Sequence, residues 1–269
     1  MVFLASMKQK IGLAFGSGGP RGLAHIGVIK ALLENNVPID VIAGTSVGSM
    51  IGGMYLSMNS IKAIEDIFVN LKITELAVMF SDLGLRTGII KGDRLEKFLE
   101  GYIDGTKIED LPIPFAAVST DLQDARYLEI TKGSLTKAIR ASSSLPGFFD
   151  VSNLDGKFLI DGGVTQPVPV RTARKLGATK VIAINLDLYS FNAIDTTPGA
   201  TKVGMLAVKL LRYSLALEQC READVVITPP LLDIDWKNLP YQNDRIDIIK
   251  RGYEATIAKM DKIKKIIEK

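Results

Sequence analysis

The sequence predicts an α/β fold in which helices cover a mostly parallel sheet. Short apolar runs alternate with segments of helical spacing from the start of the chain, and several of these runs end in glycine. The chain has 269 residues, of which 47% are hydrophobic and 23% are charged, so it can bury one large core. No repeat, low-complexity segment or linker divides it, and we expect a single domain over residues 1–269.

The first four elements are predicted to be a strand, a helix, a second strand and a second helix. The run KIGLAFG (residues 10–16) predicts a buried strand, and GLAHIGVIKALLENN (residues 22–36) follows with helical spacing. The run IDVIAG (residues 39–44) predicts a second strand, after which Ser46 opens a helix that continues to about Met58.

The rest of the chain continues this alternation. The predicted strands are PIPFAAVSTDL (112–122), GKFLIDGG (156–163), TKVIAINLD (179–187) and ADVVITPP (223–230). The segment PVRTARKLGA (169–178) predicts a helix, and Gly177 near its end is a stop signal. Apolar residues at steps of three and four from Arg245 to Lys269 predict one amphipathic C-terminal helix; docking against the core is favoured, and a helix that lies on a membrane surface is the alternative. Residues 73–92 are apolar without a clear period, which fits either a flap over a site or an ordinary insertion.

Charge and cysteine content exclude some classes of function. The net charge of +3 is spread along the chain with no basic stripe, so nucleic acid is not an expected partner. The single cysteine, Cys220, is expected in the core and cannot form a zinc site without clustered ligands. The opening MVFLASMKQK does not resemble a secretory signal, which predicts a cytoplasmic location; a transient contact with a membrane surface stays open. Residues 41–58 carry no charge, but their glycines and serines argue against a membrane span.

The stretch Gly44-Thr45-Ser46-Val47-Gly48 lies between a predicted strand and a predicted helix. Flanking glycines on such a tight turn remove the Cβ atoms that would clash, which leaves the serine hydroxyl accessible. The helix that begins there also brings unpaired N–H groups to the same place. We therefore predict that Ser46 is a nucleophile.

A serine nucleophile needs a proton acceptor, and the only histidine, His25, precedes Ser46 on an apolar helix, where we expect it to pack in the core. A Ser-His-Asp triad in the usual α/β-hydrolase order is thereby excluded. Asp161 is the best candidate, because it ends an apolar strand and is followed by Gly162 and Gly163. Asp121, which also ends a strand, is the second choice for the base, although a structural role is favoured for it.

A carboxylate is a weak base for a hydroxyl, so the oxyanion formed on attack must be strongly stabilised. The loop FGSGGPRG (residues 15–22) could supply N–H groups from Gly18, Gly19 and Arg21, joined by that of Val47. Such a loop could instead bind a phosphate.

Four elements in this order resemble the patatin-like phospholipase family over residues 11–186. They are GSGGPRGLAHIGVIKALLE, the elbow GTSVG, the stretch AIRASSSLPGFF and DGG. The resemblance implies a three-layer α/β/α fold, a dyad of Ser46 and Asp161, and an oxyanion loop at Gly18, Gly19 and Arg21. The loop departs from the family's Gly-x-Gly-x-x-Gly pattern, since Ser17 replaces its first glycine and Pro20 has no N–H.

The resemblance further implies hydrolysis of acyl esters in lipids, with no metal or other cofactor. Two other classes of function stay open. One is an interaction protein built on a hydrolase scaffold. The other is a nucleotide-binding protein, since a strand, glycine loop and helix also open a dinucleotide fold, although its acidic residue at the end of the second strand has no counterpart here.

Overall fold

A computed structural model describes residues 9–84, 87–188 and 199–268, so the prediction about the opening segment lies largely outside the described residues. The strands are β1 (Ile11–Phe15), β2 (Val41–Thr45), β3 (Gly88–Ile90), β4 (Phe115–Asp121), β5 (Arg126–Ile130), β6 (Gly147–Phe149), β7 (Ser152–Leu154), β8 (Lys157–Asp161), β9 (Lys180–Ile184) and β10 (Val225–Ile227). The α-helices are α1 (Ala24–Glu34), α2 (Val47–Met58), α3 (Ile61–Asn70), α4 (Ile73–Met79), α5 (Asp93–Ile103), α6 (Leu135–Ser142), α7 (Val170–Lys175), α8 (Ala200–Cys220), α9 (Gln242–Ile257) and α10 (Met260–Ile267). Short 3₁₀ helices lie at Gly19–Leu23, Ile108–Asp110 and Gly162–Val164.

The central sheet is mostly parallel, as predicted. Its strand order is β10-β9-β1-β2-β4-β8-β7, and β5 also pairs with β4. The neighbours from β10 to β4 are parallel, whereas β8, β7 and β5 pair in the antiparallel sense. The parallel strands β1 and β2 therefore end at one edge, where the glycine loop and the Ser46 turn follow them.

Helices cover both faces of this sheet, which makes the predicted three-layer α/β/α architecture. The chain has two hydrophobic cores, and alternate residues of β1 pack into different ones. Leu13 and Phe15 belong to the larger core, and Ala14 belongs to the smaller one. The larger core includes residues of α1, α2 and α9, and the smaller core includes residues of α7 and the end of α8. Cys220 is buried in the smaller core, as expected.

The C-terminal segment docks on the core but is not the single helix over 245–269 that the spacing predicts. It begins at Gln242 and divides into α9 and α10 at a turn after Ile257. No glycine or proline marks this turn, and the apolar spacing continues across it, so the pattern contains no stop signal. Helix α9 crosses α1 closely: a Cβ on Gly27 would lie 1.9 Å from the carbonyl oxygen of Ile249.

Residues 73–92 contain helix α4 and strand β3, which pairs in parallel with β6. The buried Arg140 side chain donates hydrogen bonds to the carbonyls of Lys91, Gly92 (3.1 Å) and Asp150 (3.3 Å). These bonds tie the end of the segment to the strand that precedes Asp150.

None of the helices in the described ranges is long and apolar enough to cross a membrane. The uncharged residues 41–58 divide into strand β2 and helix α2.

Candidate active site

Ser46 occupies the sharp turn between β2 and α2, with φ 56° and ψ −125°. A positive φ is unusual for a non-glycine residue and indicates a turn held by its surroundings. Both predicted elbow glycines are needed for close approach. A Cβ on Gly44 would lie 2.5 Å from the backbone of Ser49, and one on Gly48 would lie 2.3 Å from the Phe15 carbonyl oxygen.

The Ser46 turn is held by a serine that sequence reasoning did not single out. The Ser46 N–H donates to Ser142 Oγ at 2.8 Å, and Ser142 Oγ donates to the carbonyl of Val118 at 2.6 Å. Ser142 is fully buried at the end of α6. The stretch AIRASSSLPGFF, which carried part of the family resemblance, contains this serine and was the available signal.

Asp161 ends strand β8 beside the Ser46 turn. Its carboxyl is buried and accepts a hydrogen bond from the Gly163 N–H at 2.7 Å, and the Ser46 side chain lies near enough to influence its pKa. Burial raises the pKa of Asp161, while the positive charge of Arg212 and the hydrogen bond from Ser46 act in the opposite direction. The structure thus brings together the two residues predicted as nucleophile and base.

The glycine loop packs directly on the first residue of α2. A Cβ on Gly22 would lie 2.1 Å from the Val47 side chain, so the loop and the Ser46 turn are in contact. The N–H groups of Gly18, Gly19 and Val47 have no acceptor among the described residues. Free backbone donors beside a helix N-terminus suit an oxygen that carries negative charge.

The backbone N–H of Arg21, which we predicted as an oxyanion donor, already has an acceptor within the loop. Its N–H donates to the Gly18 carbonyl at 3.3 Å, because the loop closes into a 3₁₀ turn at this position. Its guanidinium donates to the carbonyls of Ile234 (3.0 Å) and Leu186 (3.3 Å), and burial lowers its pKa. Arg21 therefore anchors the loop to neighbouring segments.

His25 and Asp121, the two other titratable residues considered for the base, each make contacts that fit a structural role. His25 is fully buried, its Nε2 lies 2.8 Å from the Gly16 carbonyl oxygen, and burial lowers its pKa to about 4. Asp121 pairs with Lys157 at 2.6 Å and accepts the N–H of Gln123, and the bond to Lys157 lowers its pKa. These contacts match the packing role expected for His25 and the structural role favoured for Asp121.

An aromatic cluster borders the glycine loop. A Cβ on Gly19 would lie 3.3 Å from the ring of Trp236, so the indole packs against this glycine. Trp236 stacks on Phe148 at 5.7 Å between ring centroids and meets the edge of Phe80 at 5.8 Å. The indole is nevertheless 45% exposed, so it presents apolar surface beside the free N–H groups.

The described residues contain no group of three or more His, Cys, Asp or Glu side chains arranged to hold a metal ion. The groups that the site does bring together are a hydroxyl on a strained turn, a buried carboxyl near it, and unpaired backbone donors. Such groups can act as nucleophile, base and oxyanion donors in acyl transfer.

A family model described as patatin-like phospholipase matches residues 13–174. An uncharacterised NTE family protein of Mycobacterium tuberculosis is 34% identical over 194 residues, which cover 68% of this chain and 50% of that protein. Patatin-like phospholipase domain-containing protein 6 of Homo sapiens is 35% identical over 237 residues, covering 80% of this chain and 17% of that protein. The chain thus spans half or less of the length of these relatives. VipD from Legionella pneumophila has a similar fold, with a TM-score of 0.63 at 14% identity over 94% of this chain and 67% of that one.

Proposed function

Because the chain belongs to the patatin-like phospholipase family, we propose that it is a serine acyl hydrolase that cleaves carboxylic esters of lipids. Ser46 is the nucleophile and Asp161 is the base. The observation that carries the proposal is the position of the buried Asp161 carboxyl beside the strained Ser46 turn at the N-terminus of α2, where the Ser46 side chain lies near enough to lower the pKa of Asp161.

In the proposed reaction, Asp161 accepts the hydroxyl proton while Ser46 Oγ forms a bond to the ester carbonyl carbon. The carbon–oxygen bond to the alcohol then breaks, and the alcohol leaves with the proton from Asp161. Water attacks the acyl-enzyme in the second half, giving up one proton to Asp161. The acid is released and Ser46 is regenerated.

The charge that develops on the carbonyl oxygen needs donors fixed in advance. The N–H groups of Gly18, Gly19 and Val47 fit this role because no described residue uses them. Removing one such donor costs about 3 kcal/mol of transition-state stabilisation in other acyl-transfer enzymes. Pro20 adds no donor but does not displace these three.

Burial makes the Asp161 carboxylate more basic, so that it can act as the base in place of a histidine. An ordinary aspartate is weakly basic, and burial raises the pKa of Asp161. A more basic carboxylate takes the proton of the serine hydroxyl more readily, provided that it stays ionised at the working pH.

The aromatic cluster favours lipid esters over small soluble ones. An acyl chain bonded to a carbonyl carbon at Ser46 begins close to Gly19, and Trp236 packs on that glycine. We propose that Trp236, Phe148 and Phe80 contact the acyl chain and that the exposed indole allows transient contact with a lipid surface.

Two measurements test this function. The wild-type chain is expected to react with a fluorophosphonate probe and to hydrolyse p-nitrophenyl esters and lysophospholipids, whereas Ser46→Ala does neither. Ser57→Ala is the control, because Ser57 lies at the other end of α2 and bonds Thr106. A wild-type chain that neither reacts with the probe nor hydrolyses any ester would instead support the interaction-protein alternative.

The acyl-chain assignment has its own test. Trp236→Ala is expected to raise KM about tenfold for long-chain esters and little for acetyl esters, because an acetyl group has no further methylenes to pack along the indole. Tyr241→Ala is the matched control, since Tyr241 is an aromatic residue that is 62% exposed. Equal effects of Trp236→Ala on short and long chains would contradict the assignment.

A further inference from the structure

Beside the dyad lies a cluster of three polar side chains that the proposed reaction does not use. Ser17 comes from the glycine loop, Asp187 follows β9, and Arg212 lies on α8. Arg212 Nη2 donates to Asp187 Oδ1 at 2.7 Å and to Ser17 Oγ at 2.8 Å, and Ser17 Oγ donates to Asp187 Oδ2 at 3.0 Å. All three side chains are largely shielded from solvent.

The cluster lies next to the dyad at Gly163, where there is no room for a Cβ atom. A Cβ on Gly163 would lie 2.9 Å from Asp161 Oδ1 and 3.0 Å from Ser17 Oγ, so these two oxygens flank the same point. The same glycine donates its N–H to Asp161. The contact therefore joins the base, the glycine loop and helix α8.

We propose that Arg212 is a positioning residue of this site: its bonds to Ser17 and Asp187 hold the glycine loop against the Gly163 turn that carries Asp161, and they keep its positive charge at this place. This inference rests on the proposed chemistry of Ser46 and Asp161. It also gives Ser17, which departs from the family's glycine pattern, a defined function.

The electrostatics agree with this geometry. Burial raises the pKa of Asp161, and the nearby positive charge of Arg212 lowers it more than either hydrogen-bond donor, Ser46 or Gly163, does alone. The negative charge of Asp187 raises it. No hydrogen bond joins Arg212 to Asp161 in the described ranges, so the base keeps its free oxygen for the serine. Asp187 thus holds the guanidinium near the base without direct pairing.

The test compares variants that change charge with variants that change only contacts. Arg212→Gln removes the charge, and we expect the acidic limb of the kcat/KM profile for a p-nitrophenyl ester to move up by about one pH unit. Arg212→Lys keeps the charge and is expected to leave the limb in place at a lower rate. Asp187→Asn is expected to move it down, because the charge of Arg212 is then less neutralised. Arg221→Gln is the matched control, since Arg221 is a mostly exposed arginine at the end of the same helix.

Ser17→Ala separates the two parts of the proposal. It leaves the pair of Arg212 and Asp187 intact but cuts the bond to the loop. We expect fluorophosphonate labelling to slow about tenfold while the acidic limb stays at its wild-type pH.

A measurement without turnover keeps the inference separate from the proposed function. A ¹³C NMR titration of the side-chain carboxyls, with Asp161→Asn identifying the signal, reports the pKa of Asp161 even in a chain that hydrolyses nothing. A higher pKa in folded Arg212→Gln supports the inference. Folded Arg212→Gln and Asp187→Asn variants with the wild-type pKa would overturn it, and an inactive wild-type chain would overturn only the proposed function.

Discussion

Replacing Ser142 with alanine tests how the Ser46 turn is held. Ser142 Oγ accepts the Ser46 N–H at 2.8 Å and donates to the Val118 carbonyl at 2.6 Å, and the Ser142 side chain is fully buried. Alanine fills nearly the same space but leaves the buried N–H without an acceptor. A stranded buried donor costs about 1–3 kcal/mol. We therefore expect Ser142→Ala to lower the free energy of unfolding by about 2 kcal/mol, and Tm by about 5 °C for a chain of this size.

The same change should slow the reaction of Ser46. Its positive φ is maintained by the surrounding contacts, of which the bond to Ser142 is one. Loss of about 1.4 kcal/mol of this preorganisation corresponds to a tenfold lower rate. The assays are thermal unfolding and the rate of fluorophosphonate labelling, each at neutral pH.

The chain contains a matched control one residue away. Ser143 is also buried, but its hydroxyl has no hydrogen-bond partner among the described residues. Ser143→Ala strands no other group, so both Tm and the labelling rate should stay close to the wild type. The reasoning is refuted if Ser142→Ala leaves Tm and labelling unchanged, or if the two variants lose stability equally.

Three further predictions follow from the site and its supports. Asp161→Asn should lower kcat/KM for ester hydrolysis by about 10³, whereas Asp121→Asn should retain most of it; the reverse outcome would assign the base to Asp121. Gly48→Ala places a Cβ 2.3 Å from a backbone carbonyl oxygen and should abolish labelling, while Gly101→Ala, with open space around it on α5, should raise stability by about 1 kcal/mol in chemical unfolding. Burial lowers the pKa of His25 to about 4 in the folded chain. As the pH falls, the histidine therefore takes up its proton in the unfolded chain first. The free energy of unfolding that neutral His25 contributes above about pH 6.5 is lost between about pH 6.5 and pH 4. Relative to a His25→Gln variant, urea unfolding of the wild type should show a loss of about 3 kcal/mol below pH 4; equal slopes would contradict this.

The fold and the candidate residues Ser46 and Asp161 could be predicted from the sequence because their signals are local. Alternating apolar runs predicted the sheet, and the glycines around Ser46 predicted the turn, since close backbone approach there tolerates no Cβ. Asp161 was predicted as the base from a similar local pattern, a carboxyl at the end of an apolar strand followed by two glycines.

The supports of the site could not be predicted because they join distant parts of the chain. Ser142 lies 96 positions from Ser46, and Arg212 lies 195 positions from Ser17. Their spacing has no periodic signature, and only the folded chain brings them together. The bond from the Arg21 N–H to the Gly18 carbonyl could not be predicted for a related reason, since the 3₁₀ turn that contains it depends on how the loop closes.

The most direct test of the central claim is to trap the covalent intermediate. The chain is incubated with a long-chain p-nitrophenyl ester, quenched in acid during turnover, digested and mapped by mass spectrometry. The proposed mechanism predicts one acyl group on the peptide that contains Ser46 in the wild-type chain, and none on the corresponding peptide of Ser46→Ala. Ester hydrolysis that proceeds with the acyl group on another residue, or that is retained in Ser46→Ala, would contradict the mechanism.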